Sequence, residues 1–135
     1  MDGVLNTIKS KSLFALSKPK LRQLSRIVNE TECKIVLSSS WRRYDYAYQR
    51  LKRRLKYRNL YIHDITPTIN EIGSSRGYEI QKWLDENSEF WNVEKYCIVD
   101  DINDMLTHQS IYFVQTNDAD GLTKEKADEI IYILS

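Results

Sequence analysis

Apolar residues along the chain occur in two registers: short unbroken runs, and longer stretches where they recur every three to four positions. Leu21, Leu24, Ile27 and Val28 recur at helical spacing and predict a helix over Pro19 to Asn29, with Ser17 as its cap. Cys33 to Leu37 is a short apolar, β-branched run that predicts a strand buried on both faces. Tyr44, Tyr48, Leu51 and Leu55 predict a helix over residues 43 to 58, and Asn59 to Ile62 predicts a short strand. After the loops at Thr66-Pro67-Thr68 and Gly73 to Gly77, Ile80, Trp83 and Leu84 mark a further helix. Tyr96 to Val99 and Ile111 to Val114 predict two more strands. Ala127, Ile130, Ile131 and Leu134 form the inward face of a terminal helix over Lys124 to Leu134. Asp2 to Lys11 reads as turn and loop.

Strands alternating with helices favour one α/β domain over residues 1–135, with a parallel sheet covered on both faces. A chain of 135 residues can bury a real core, and no repeat, low-complexity segment or linker divides it. Charge is plentiful but balanced at a net +1, so bulk charge implies no partner. No apolar run approaches the roughly 20 residues that span a bilayer, and no signal peptide is expected. Cys33 and Cys97 read as separate buried thiols of a cytoplasmic protein.

The polar residues are informative by position. The run ending at Leu37 leads into Ser38-Ser39-Ser40, the run ending at Val99 leads into Asp100-Asp101, and Asp2-Gly3 opens the chain. In an open parallel sheet, ligands bind beyond the carboxyl ends of the strands, so these clusters would meet at one edge. Several carboxylates gathered there call for a cation, and hard oxygen ligands with room for water and phosphate suit Mg²⁺. The implied chemistry is phosphoryl transfer. Separately, each motif has an ordinary structural use as a turn, a helix cap or a helix start, and Arg76 alone is an ordinary surface charge. Their order and joint placement at strand ends carry the functional reading.

Those motifs resemble the haloacid dehalogenase-like (HAD) phosphatase superfamily over nearly the whole chain. Met1 to Asn6 is similar to part of an Asp-x-Asp-Gly motif, and Ile35 to Arg42 to a strand ending in Ser or Thr. Arg76 in Ser75 to Ile80 matches a basic residue opening a helix, and Ile98 to Asp104 an acidic pair after a strand. Val114-Gln115-Thr116 with Gly121-Leu122-Thr123 resembles a small subgroup that includes domains associated with RNA repair and uncharacterised bacterial and phage proteins.

The resemblance implies a three-layer α/β/α, Rossmann-like fold and an Mg²⁺-dependent phosphohydrolase. Asp2 matches the general acid/base, whose carbonyl also helps hold the metal, with Gly3 beside it at the phosphate. Ser39 is the expected phosphate-binding hydroxyl, with Ser38 nearly equivalent and Ser40 adjacent. Arg76 stands where a lysine is usual and would pair with phosphate. Arg42, close to Ser39 in sequence, is expected either in the basic segment of residues 42 to 58 or as a second phosphate clamp. Asp100 and Asp101 would supply the metal carboxylate and its supporting partner, with Asp104 orienting them. The nucleophilic aspartate would stand two positions before Asp2. The resemblance therefore implies that the first central strand lies outside this chain and that the 135 residues alone are inactive. The strand's place would then be filled from elsewhere, by another segment or by a second copy in a homo-oligomer, or the chain would be poorly stable. There is little room for a lid, so an open site would admit large substrates.

Residues 42 to 58 carry eight basic side chains and four tyrosines against a single carboxylate, Asp45. One reading is a nucleic-acid contact, with cations on phosphates and tyrosines stacked on bases. The other is an amphipathic helix whose tyrosines belong to its packing stripe. Three functions follow as expectations: phosphohydrolase, non-catalytic nucleic-acid-binding module, or phosphotransferase of the same superfamily.

Overall fold

The computed structural model describes residues 4–5, 16–69 and 75–135. Asp2 and Gly3 lie outside the described residues. Four helices alternate with four short strands. They are α1 (Lys18–Thr31), β1 (Ile35–Leu37), α2 (Asp45–Lys56), β2 (Ile62–Ile65), α3 (Arg76–Trp91), β3 (Ile98–Asp100), β4 (Phe113–Gln115) and α4 (Lys124–Leu134). The strands are parallel within each pair, and helices with short parallel strands make the chain a small α/β domain.

Each helix follows its apolar period and its end signals. In α1, Pro19 occupies the first turn, Leu21 and Ile27 are buried, and Glu32 ends the helix in a left-handed conformation. Ser17 stands at the cap position, but its side chain makes no capping bond; its N–H instead donates to Leu5 O at 2.9 Å. In α2 the packing stripe is Ala47, Leu51 and Leu55, all fully buried, while Tyr44 is exposed. A 3-10 turn over Ser40–Arg43 precedes α2 and buries Trp41. Ser75 caps α3, accepting from Tyr78 N, and Thr123 caps α4, accepting from Lys126 N.

Two expected strands shift, each for a local reason. Leu60 N donates to Leu55 O and Asn59 takes φ 56°, so residues 59 and 60 close the end of α2 and β2 starts later. The run at Ile111 begins inside a 3-10 turn over Thr107–Tyr112, so β4 is confined to Phe113–Gln115. The fully buried Gln109 holds that turn, with Oε1 accepting from Leu106 N and Nε2 donating to Gly77 O.

The strands form two separate pairs. β1 pairs with β2 and β3 pairs with β4; among the described residues no strand joins β1 to β3. Between them lies a cavity of about 770 Å³, walled by β1 and β3, by Leu24, Ile27 and Ile130 of α1 and α4, and by Ile80 and Leu84 of α3. Val4 and Leu5 also reach it, and Val4 O accepts from Leu122 N at 2.8 Å. Cys33 and Cys97 line the cavity as unbonded thiols, and burial pushes Cys97 up to about 12. No helix among the described residues is long and apolar enough to cross a membrane.

Candidate active site

The cavity is lined mainly by apolar side chains, with a group of polar ones where β1 and β3 end. β1 and β3 flank the same space, and the residues at the end of each line it. Ser38, Ser39 and Ser40 come from the end of β1, Asp100, Asp101 and Asp104 from the end of β3, and Arg76 from the start of α3. The structure thus brings seven of the expected site residues to one cavity.

The serine segment is held rigidly. Ser39 Oγ accepts from Trp41 N at 3.2 Å and caps the 3-10 turn. Ser38 Oγ lies 2.8 Å from Oγ1 of the buried Thr66, whose N–H continues the β1–β2 ladder to Leu37 O. The acidic segment is likewise tied down. Asp100 Oδ1 accepts from Ile102 N at 3.2 Å, and the Asp101 carbonyl accepts from Gln115 Nε2 at 3.0 Å.

The Asp101 carboxyl is pushed up to about 6, first by burial and then by the hydrogen bond and negative charge of Asp100. Two crowded carboxylates of this kind suit Mg²⁺, which takes one or two protein carboxylates and keeps several waters. Asp100 and Asp101 fit that role. Among the described residues no three His, Cys, Asp or Glu side chains cluster tightly enough to form a metal cage by themselves. Asp104 is placed differently from a metal ligand: its Oδ2 accepts from Arg76 N at 3.0 Å and its carbonyl from Gly77 N at 2.9 Å. It fastens the loop after β3 to the amino end of α3.

Arg42 is corrected from the expected phosphate clamp. Its side chain is 2% exposed, and its guanidinium is saturated by the protein. Nη1 donates to Ser38 O and Ser39 O at 2.7 and 2.8 Å, Nε to Thr66 O at 3.1 Å, and Nη2 to Pro67 O and to the Glu79 carboxylate. Burial, and then the Arg76 and Arg43 charges, lower its pKa against the opposing pull of Glu79. Arg42 therefore shapes the serine segment and leaves no donor directed to a ligand.

Glu79 carries no expectation from the sequence, yet it organises this corner. Its carboxylate, 8% exposed, takes Arg42, Arg43 at 3.7 Å and Arg76 at 4.0 Å. Its spacing from Arg76, three residues along a helix, was the available signal. Thr66 was also missed, because a Thr-Pro pair after a strand reads as loop. Arg76 differs from Arg42: Nη1 is buried, has only the distant Glu79 contact, and has no hydrogen-bond partner among the described residues. A guanidinium donor without a hydrogen-bond partner among the described residues, on a side chain that lines the cavity, is suited to an anion.

The family model described as the HAD domain in Swiss Army Knife RNA repair proteins matches residues 1–127. No curated protein and no solved structure matches the chain. The match spans every element up to the first turn of α4, including both strand ends and the Arg76 helix at the cavity, and the chain belongs to this family of HAD domains, hydrolases of the phosphatase type at family level.

Proposed function

We propose that the chain is the core of an Mg²⁺-dependent phosphohydrolase acting on a phosphomonoester at a nucleic-acid end. The observation that carries this reading is the convergence of Ser38, Ser39, Arg76, Asp100 and Asp101 at one end of one cavity. Arg76 Nη1, lacking a hydrogen-bond partner among the described residues, would pair with a phosphate oxygen. The serine hydroxyls, fixed by Trp41 and Thr66, would orient the phosphoryl group. Asp100 and Asp101 would hold Mg²⁺, which supplies charge neutralisation on the phosphate. Asp2, two positions before the cavity residue Val4, would move the proton of the leaving group.

The phosphoryl acceptor of this reading is an aspartate two positions before Asp2, at the end of a strand. The cavity between β1 and β3 supports a place for such a strand: laid parallel to its neighbours, it would end at the polar cluster. The RNA-repair description of the family supports RNA as the substrate class. Phosphate release from p-nitrophenyl phosphate tests the reading, with the polypeptide extended through that strand. Arg76→Ala should lower turnover by about 10²-fold or more, the usual cost of losing one transition-state donor. Turnover equal to the parent's, in a folded variant, would overturn the assignment.

A further inference from the structure

The exposed face of α2 has no role in the cavity. With Ala47, Leu51 and Leu55 buried, the side diametrically opposite carries Tyr46, Gln49, Arg53 and, one residue past the helix, Tyr57. Tyr46 is 64% exposed and Tyr57 87%, so neither belongs to the packing stripe. Lys52 and Lys56 flank this line, and both are exposed, as is Arg53 within it. No carboxylate among the described residues makes a salt bridge with Arg50, Lys52, Arg53, Arg54, Lys56 or Arg58, although most other close ion pairs of the molecule are satisfied in networks. Lys52 lies over the Tyr48 ring at 5.2 Å, a contact that leaves its charge uncompensated.

Residues 42–58 thus hold a net +7 in a chain whose net charge is +1. Evolution of solubility alone does not require two large, exposed aromatic rings among so many unpaired cations; exposed tyrosines between cations are the composition of a single-strand track. The segment is also anchored to the site, because the 3-10 turn that starts it follows Ser39 directly and packs on α2.

We propose that this face of α2 binds single-stranded RNA, cations on the phosphates and Tyr46 and Tyr57 against base faces, so that the strand's end reaches the cavity. The inference rests on the proposed function for the identity of the end. From Tyr46 to Tyr57 the helix offers about 16 Å of track at 1.5 Å per residue. A duplex cannot stack its bases on side chains in this way, so an unpaired strand is the fitting partner.

The test is fluorescence anisotropy of a short labelled oligouridylate, titrated with the full chain over a range of salt. Binding should weaken steeply with salt. Replacing three cations together (Lys52→Gln, Arg53→Gln, Lys56→Gln) should weaken it at least tenfold at low salt and reduce the log–log slope by about 2, at roughly 0.7 per lost contact. Tyr46→Ala with Tyr57→Ala should weaken binding at least fivefold while leaving the slope unchanged. An abasic strand of equal charge should bind as weakly as RNA does to the double tyrosine variant. Equal binding by parent and triple variant, both folded by circular dichroism, would overturn the proposal, as would preference for duplex or for DNA of the same sequence. Hydrolysis of p-nitrophenyl phosphate by the extended polypeptide separates the two readings. Loss of RNA binding with retained turnover supports the track, while RNA binding without any turnover upholds the track and sinks the catalytic reading.

Discussion

Three arginines converge on the one carboxylate of Glu79, and they do so at very different depths. Arg42 is enclosed, Arg43 is about half exposed and Arg76 is intermediate. Removing Arg42 would leave Glu79 and four backbone carbonyls without their donor. Arg42→Ala should therefore cost about 3–5 kcal/mol in chemical denaturation, the range for breaking a buried pair. A loss below about 1 kcal/mol would show that solvent replaces the guanidinium. Arg42→Lys, which keeps the charge but not the planar fork, should fall between. Asp101 behaves in the opposite sense. Its raised pKa means the folded chain resists its ionisation, so the penalty is in force above about pH 6 and fades as pH falls towards 3.8, where both states bind the proton. In metal-free buffer at pH 8, Asp101→Asn should raise stability by about 1 kcal/mol after allowing for solvent screening. The same substitution should abolish any rise in melting temperature on adding Mg²⁺; a destabilised variant would contradict the crowding of the two carboxylates. Ser38, Ser39, Arg76, Asp100 and Asp101 were legible as candidates because each follows an apolar run or opens a helix. Glu79 and Thr66 were not, since their buried partners lie 37 and 28 residues away, and the only local sign for Glu79 is its three-residue spacing from Arg76.

At the scale of elements, the helices were readable because an amphipathic period over many residues survives small errors at the ends. The strands were readable in place but not in extent, because each is three or four residues long and its limits are set by tertiary bonds. Gln109 is the clearest case. An amide in a polar stretch reads as surface, yet it is buried and fixes the turn that displaces β4. That turn leans on α3 through Gly77, where an added Cβ would come within 2.6 Å of Leu106 N and 2.8 Å of Gln109 Oε1. Both neighbours are held by hydrogen bonds, so neither can yield cheaply. Gly77→Ala should lower stability by about 2 kcal/mol or more, in the range for overpacking. Because Gly77 adjoins Arg76, the same change should raise KM for a phosphomonoester in the extended polypeptide. An unchanged melting temperature would mean that α3 and the turn move apart freely.

The whole molecule is governed by the space between its two strand pairs. A sealed apolar void of about 770 Å³ would cost about 18 kcal/mol at ~24 cal/mol per Å³, more than the usual stability of about 5–15 kcal/mol. The space must therefore be wet or filled, and the edges of β1 and β3, which meet no further strand among the described residues, favour a strand as its filling. Extending the polypeptide at its amino end by an apolar, β-branched run that closes on Asp-x should raise the melting temperature and slow hydrogen exchange in β1 and β3. Exchange that stays as fast in the extended form would place the added strand elsewhere. The measurement that bears most directly on the central claim is phosphate release from p-nitrophenyl phosphate by that extended polypeptide, with and without Mg²⁺, in the parent and in Arg76→Ala. The account predicts turnover that requires Mg²⁺ and falls about 10²-fold without the Arg76 guanidinium. A folded, extended polypeptide that releases no phosphate, or whose turnover ignores Arg76, would contradict it.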